Sequence, residues 1–395
     1  MMLKRIATVV IVMMIATASA LFLINTKEGP TSENDLAELN PDALLANHKP
    51  EEDKAIIDYK NFEVKPYIND PSSFSYDSSE FEVAVPEGYE TGSIAGKNNN
   101  LYYLLIKPIP MGQRALATTI FHVDTETGDT QQMLHFEDKG HWVNELVAAD
   151  GLLFWVLYTE EGQRIERYDI EKGTLTTVKE FPPESHWTIL SGGEEYLTWY
   201  EHSEENVSLY VYDIEEKQLF LVSNQIARQM PFVRAHVNNG ITAFSEDRNG
   251  DLYLCVYDLH EQAYLKELRT TDDSRFIISL QANSDYMTWQ DSGYNSTLYA
   301  YDLANNRLIC VVKPEDNIDI FSHHLLKGMV IINNSRNNQI IGRLLSSGKE
   351  VVMSKTPESH SYSNRYFLGN VYDEQTFIAD GYVDNHQFIL MIKLE

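Results

Sequence analysis

Five side chains able to carry positive charge recur along the chain: His141, His186, Arg275, His323 and Arg365. His141 directly precedes Trp142, and His186, 45 residues on, directly precedes Trp187. If repeats bring these five to one axis, they form a ligand-binding channel mouth for a carboxylate or phosphate, each arginine offering two parallel N–H donors. The plainer alternative leaves each at its own edge, against water or a neighbouring acid. A second set has the opposite sign: Glu160-Glu161, Glu201, Glu204-Glu205, Glu246-Asp247, Asp291, and Asp380 with Asp384. Binding a hard cation requires several oxygens converging on one point. Asp247-Arg248-Asn249-Gly250-Asp251 begins like a calcium loop but lacks the remaining ligands and the distal glutamate, so it reads as a solvated turn.

No Gly-x-Ser-x-Gly elbow, His-Glu-x-x-His pair, phosphate loop, dinucleotide fingerprint or Cys-x-x-Cys is present. No catalytic residue, metal ligand or cofactor is therefore assigned. A glycan-cleaving enzyme needs two carboxylates facing each other across a cleft, and acids are too plentiful here to single out one pair. A non-catalytic binding or sensing scaffold is the leading expectation. A glycan-active hydrolase or lyase using channel-facing carboxylates is the alternative.

The elements that must carry these side chains are set by a repeat. Tyr168-Asp169-Ile170 returns as Tyr212-Asp213-Ile214, Tyr257-Asp258-Leu259 and Tyr301-Asp302-Leu303, with Val123-Asp124-Thr125 before them. The aspartates step by 45, 44, 45 and 44 residues. Trp155, Trp199, Phe244 and Trp289 keep the same period, as do Trp142, Trp187, Phe232 and Phe276. Each unit divides into four short strands joined by turns, clearest between Trp142 and Phe181, which is the size of one propeller blade. Seven units start near Tyr89, Trp142, Trp187, Phe232, Phe276, Phe321 and Tyr366. The sixth lacks its aspartate, having Ser346 in its place, and the seventh ends after a third strand at His386–Leu394. Phe81 to Val85 alternates like a half-buried strand and is expected to supply the missing fourth strand, closing the ring. In each Tyr-Asp pair the aspartate is expected to nucleate a hairpin turn and the tyrosine to pack between blades.

The expected architecture is all-β: a seven-bladed β-propeller of four-stranded antiparallel blades over residues 80–395. Residues 1–26 hold Lys4 and Arg5 before the apolar run Ile6 to Ile24, which reads as one membrane-directed helix, a retained anchor or a signal peptide cleaved after Ala18-Ser19-Ala20. Residues 27–79, acidic and punctuated by prolines, read as a flexible tether. The body is thus expected outside the cytoplasm as a monomeric ectodomain, or secreted. Lysine and arginine total 31 against 59 acids, a net charge of −28. Such a field opposes nucleic acid, and it leaves a protein, peptide or small ligand at the loop face as the expected partner. Cys255 and Cys310, in strands of neighbouring repeats, are expected to be buried free thiols.

The Tyr-Asp-Ile/Leu pattern, followed by a polar turn and a β-rich strand, resembles the bacterial TolB-like, WD40-like family of β-propellers over roughly residues 80 to 395. The resemblance implies the propeller fold and an extracytoplasmic binding scaffold. The Gly-His and Trp-Asp signatures of true WD40 repeats are not kept.

Overall fold

The computed structural model describes residues 55–394, apart from 108–115, 137–141, 183–187, 227–234, 271–276, 292–296, 354–359, 362–369 and shorter gaps. Residues 1–26, expected from the sequence to be membrane-directed, lie outside them. No helix among the described residues is long and apolar enough to cross a membrane.

The strands group into seven sheets, one per repeat. Blade 2 shows the unit: Trp142–Ala149, Leu152–Thr159, Gly162–Asp169 and Thr174–Phe181, each antiparallel to the next. Blade 1 runs from Glu90–Lys97 to Thr130–His135, and blade 3 from Ser191–Gly192 to Gln218–Ile226. Blade 4 runs from Val237–Asn238 to Ala263–Thr270, blade 5 from Ile277–Ala282 to Arg307–Val312, and blade 6 from Ile320–Leu326 to Lys349–Val352. Blade 7 contains Thr376–Val383 and His386–Leu394.

Its outer strand comes from the other end of the chain. Tyr76–Glu82 pairs antiparallel with His386–Leu394, Phe81 facing Ile389, so the ring closes as expected. The strand begins earlier than the alternation from Phe81 suggests. Residues 77–80 are all exposed, and an outermost strand needs no apolar face to hold its ladder.

A larger difference precedes it. Residues expected in the tether instead form three short strands, each added in parallel to the outer edge of a blade. Ala55–Ile57 lies along blade 4, Glu63–Val64 along blade 5 and Ile68–Asn69 along blade 6, making these blades five-stranded rather than four-stranded. Strands of two or three residues are too short to give a periodic signal, and Pro66 between them looks like a linker residue.

Seven apolar clusters hold the ring together, one at every junction between neighbouring blades. Trp155 fills the junction of blades 1 and 2, Trp199 that of 2 and 3, Phe244 that of 3 and 4, and Trp289 that of 4 and 5. All four are at most 1% exposed. The 44–45-residue column of aromatics is thus a column of inter-blade cores. Truncating such a side chain removes its burial and leaves a cavity, a cost of about 3–5 kcal/mol. Tyr212, Tyr257 and Tyr301 are buried in the same clusters, and Tyr168 packs against them.

The aspartates do what their position predicts. Asp124, Asp169, Asp213, Asp258 and Asp302 each accept backbone N–H bonds two or three residues on, at 2.8 to 3.1 Å. The next residue ties that turn to the turn joining the first two strands, as in Ile170 N–H to the Gly151 carbonyl at 2.9 Å. Blade 6 keeps this bond, from Leu345 to Gly328 at 2.9 Å, although it lacks the aspartate. Backbone closure therefore survives where the side chain is missing. Both cysteines are buried and free, and burial pushes the Cys310 thiol up to about 12, which leaves it protonated and unreactive at neutral pH.

A second column went unread in the sequence. Outer strands of blades 1 to 5 each carry one extra residue against the third strand: Met133, Val178, Val222, Leu265 and Val311. A bulge at this place bends the outer strand and increases its twist.

Candidate functional site

The inner strands surround the channel, and their register defines comparable heights. The residue facing the third position of the second strand is Ala95 in blade 1, Val147 in blade 2 and Ser191 in blade 3. In blade 4 His236 holds that place, its carbonyl accepting from Ala243 N–H at 3.3 Å. Blades 5, 6 and 7 supply Gln281, His324 and Asn370. One side of this tier is small or apolar, and the other carries the imidazoles of His236 and His324 and the amide of Gln281. The His236 and His324 rings reach to 6.5 Å of each other, although blade 5 separates their blades, and His324 lies 5.2 Å from the Phe377 ring of blade 7. Aromatic side chains from three blades therefore converge at this height.

Gln281 locks the tier to its neighbour. Its amide donates to the His323 carbonyl at 2.7 Å and accepts from Leu325 N–H at 2.9 Å, gripping the inner strand of blade 6 across the junction. Other blades use the same device. Gln387 accepts from Thr91 N–H at 3.1 Å, Gln163 from Thr188 N–H at 3.0 Å and Gln225 from Asp247 N–H at 2.6 Å. An amide offers a donor and an acceptor at one tip, which suits an exposed backbone edge of the next sheet.

Of the five channel-mouth residues expected from the sequence, His141, His186, Arg275 and Arg365 lie outside the described residues. His323 is described, and it is not at the surface. It sits within the inner strand of blade 6 at 0% exposure, its Nε2 3.2 Å from Thr288 Oγ1 of blade 5. Burial, with His236 nearby, pulls its pKa down to about 3, so the ring is neutral at physiological pH. A neutral buried imidazole packs a junction, and it offers no charge to an anion.

The acidic rim divides in the same way. Glu160 and Glu161 are exposed in their turn. Glu201 accepts from Trp199 Nε1 at 3.1 Å and pairs with Lys179 at 3.3 Å. Glu246 is buried, paired with Arg248, which also pairs with Glu267 and lies 4.8 Å above the Tyr253 ring. Asp247 closes its own turn by accepting from Gly250 N–H at 2.9 Å, as a solvated turn does. Glu166, 3% exposed, takes Trp155 Nε1 at 2.8 Å and Arg164 Nε at 2.7 Å. Glu166, Glu201 and Glu246 thus anchor indole, phenol, guanidinium and ammonium groups, and Glu204, Glu205 and Asp384 lie outside the described residues.

One carboxylate stands apart by conformation. Glu145, on the inner strand of blade 2, adopts φ 56° at a bulge and is 8% exposed. Ser279 takes φ 56° at the matching bulge of blade 5. A non-glycine residue in the left-handed region is strained by roughly 1–2 kcal/mol. Among the described residues no three His, Cys, Asp or Glu side chains are grouped to hold a metal ion.

No protein-family model matches the chain, and no curated protein matches it in sequence. Solved structures do resemble it. An oligogalacturonate lyase in complex with manganese aligns over 82% of this chain and 96% of its own, with a TM-score of 0.53 and 9% identity. The β-propeller domain of the trilobed protease from Pyrococcus furiosus, described as having an open velcro topology, aligns over 78% and 94%, with a TM-score of 0.55 and 9% identity. A prolyl endopeptidase aligns over 78% of this chain at a TM-score of 0.52 and 9% identity, and the match spans half of that longer protein. At such identity the likeness establishes the fold, a seven-bladed propeller, and the family resemblance rests on sequence pattern alone.

Proposed function

We propose that this chain is an extracytoplasmic binding or sensing scaffold, held at a membrane by residues 1–26 and presenting its loop face to a protein, peptide or small ligand. One observation carries the reading: His323, Glu166 and Glu246, ionisable groups inside the ring, are each engaged with side chains of the blades themselves. His323 is neutral and buried against Thr288, and Glu166 and Glu246 anchor Trp155, Tyr264 and arginines. Groups fixed in this way leave recognition to the loops, the usual division of labour between scaffold and site. The test is capture of partners from membranes by the intact chain, compared with a chain carrying His141→Ala and Arg275→Ala. A partner held by the first and lost by the second supports the loop-face mouth. Equal retention of every partner removes it.

A second reading, a glycan hydrolase or lyase, draws on Glu145, a buried carboxylate on an inner strand in a strained conformation. Screening the purified chain against polysaccharides, uronate-containing ones included, addresses it directly. Turnover abolished by Glu145→Gln with an unchanged melting temperature would replace the scaffold reading.

A further inference from the structure

The segment from Ala55 to Asp70 is fastened to the ring differently from everything after it. Its three strands have three, two and two residues, and each is parallel to the outer strand it joins. Side chains do most of the fastening. Ile57 and Tyr59 sink into the junction of blades 4 and 5, where Tyr59 meets the Tyr299 ring edge-on at 5.3 Å. Glu63 pairs with Arg307 at 2.7 Å. Tyr67 lies 4.4 Å beneath the Arg343 guanidinium at the junction of blades 5 and 6, and Asp70 pairs with Lys349 at 3.1 Å. Tyr76–Glu82, by contrast, is a seven-residue antiparallel ladder along His386–Leu394.

We propose that residues 55–70 are a strap that detaches from its N-terminal end, blade by blade in the order 4, 5, 6, while the ring stays closed. Three features of the geometry lead there. Blades 4, 5 and 6 each retain four antiparallel strands of their own when the added strand leaves, so their sheets do not depend on it. Each added strand contributes few backbone hydrogen bonds, so lifting one leaves the next intact, whereas the blade 7 ladder must break over its whole length. Tension on the chain upstream of Ala55 falls first on the blade 4 strand and reaches the next only after that one has gone. Release uncovers strand edges at Leu268–Thr270, Ile309–Cys310 and Lys349–Glu350, which then present unpaired N–H and C=O groups able to accept another strand. The outer edges of blades 4 to 6 are thereby covered conditionally, by a segment that can leave. The order of release is a property of the fold. Only a source of tension at the membrane rests on the anchor proposed above.

The decisive experiment pulls single molecules of the full chain between handles at Asn40→Cys and Asp150→Cys, the native Cys255 and Cys310 being buried. Detachment of residues 55–75 adds about 70 Å of extended chain at ~3.3–3.6 Å per residue, in small steps below the force that ruptures the ring. A single rupture with no earlier extension overturns the proposal. Tyr59→Ala is expected to lower the force of the first step and leave the final rupture unchanged; equal weakening of both also overturns it. Hydrogen exchange gives an independent reading. Strap amides bonded to blades 5 and 6, such as Ile68 N–H to the Gly348 carbonyl at 3.0 Å, are expected to exchange at least tenfold faster than amides of the Tyr76–Glu82 ladder. Equal rates overturn it.

Discussion

Blades 1 and 2 and blades 4 to 6 solve one packing problem by two routes. In the first group the chain leaving the outer strand fills the junction ahead of it. Phe136 meets Trp155 edge-on at 5.9 Å, and Phe181 meets Trp199 edge-on at 6.5 Å. Forty-five residues on from Phe181 stands Ile226, and 45 more at each step give Thr271 and Asp316. The aromatic is already gone from the repeat at blade 3, and the strap arrives at blades 4 to 6. Tyr59 and Phe62 then pack against Tyr299, and Tyr67 against Arg343, whose guanidinium also holds Asp316 at 2.9 Å. A residue lost from the repeat is replaced from a distant part of the chain, because the void, not the repeat, sets the requirement. The tier of channel residues divides along nearly the same line, with Ala95, Val147 and Ser191 on one side and His236, Gln281 and His324 on the other.

The largest expected effect comes from removing the distant contribution altogether. Deleting residues 55–82 takes away the outer strand of blade 7 and every strap aromatic. The loss should exceed the ~5–15 kcal/mol margin of an ordinary domain, and no soluble, cooperatively melting protein should be recovered. Recovery of one would mean that blade 7 stands without its borrowed strand.

Single truncations sharpen the comparison. Phe181→Ala and Tyr59→Ala should each cost about 3–5 kcal/mol by denaturant unfolding if the two aromatics do the same job. A silent Tyr59→Ala beside a costly Phe181→Ala would break the equivalence. Such junction losses should also add when the two are combined, since they lie in separate clusters.

His323 gives a pH test at the junction of blades 5 and 6. Its folded pKa of about 3 lies below the ordinary imidazole value of 6.5, so below pH 6.5 the unfolded chain binds a proton that the folded chain does not. Stability should therefore fall with acid from pH 6.5 downward, by up to about 1.4 kcal/mol per unit from this group. The difference between wild type and His323→Gln isolates it from the carboxylates. A pH-independent difference between pH 6.5 and 4.5 would contradict the burial that lowers the pKa.

The smallest effect is at a turn. Asp213→Ala removes the acceptor of Glu216 N–H at 2.9 Å and should cost about 1 kcal/mol. Blade 6, which manages with Ser346, sets the lower bound for that aspartate's importance.

The repeat, the blade count, the closing strand and the turn aspartates were legible because each recurs or alternates within a short window, and local backbone chemistry forces the same answer every time. Residue type and spacing alone placed Trp155, Trp199, Phe244 and Trp289 in one column, and their shared role as junction cores followed from it. The strap was not legible. Pairs as short as Glu63–Val64 carry no period, and nothing near Tyr67 indicates that Arg343, far along the chain, will cover it. The interior role of His323 was equally hidden, because a histidine beside a strand start looks the same whether it faces water or the next blade. Local sequence fixes what each strand and turn can be. Which edges and junctions remain to be filled, and by what, is decided only when the seven sheets meet, since a void exists only between surfaces already brought together.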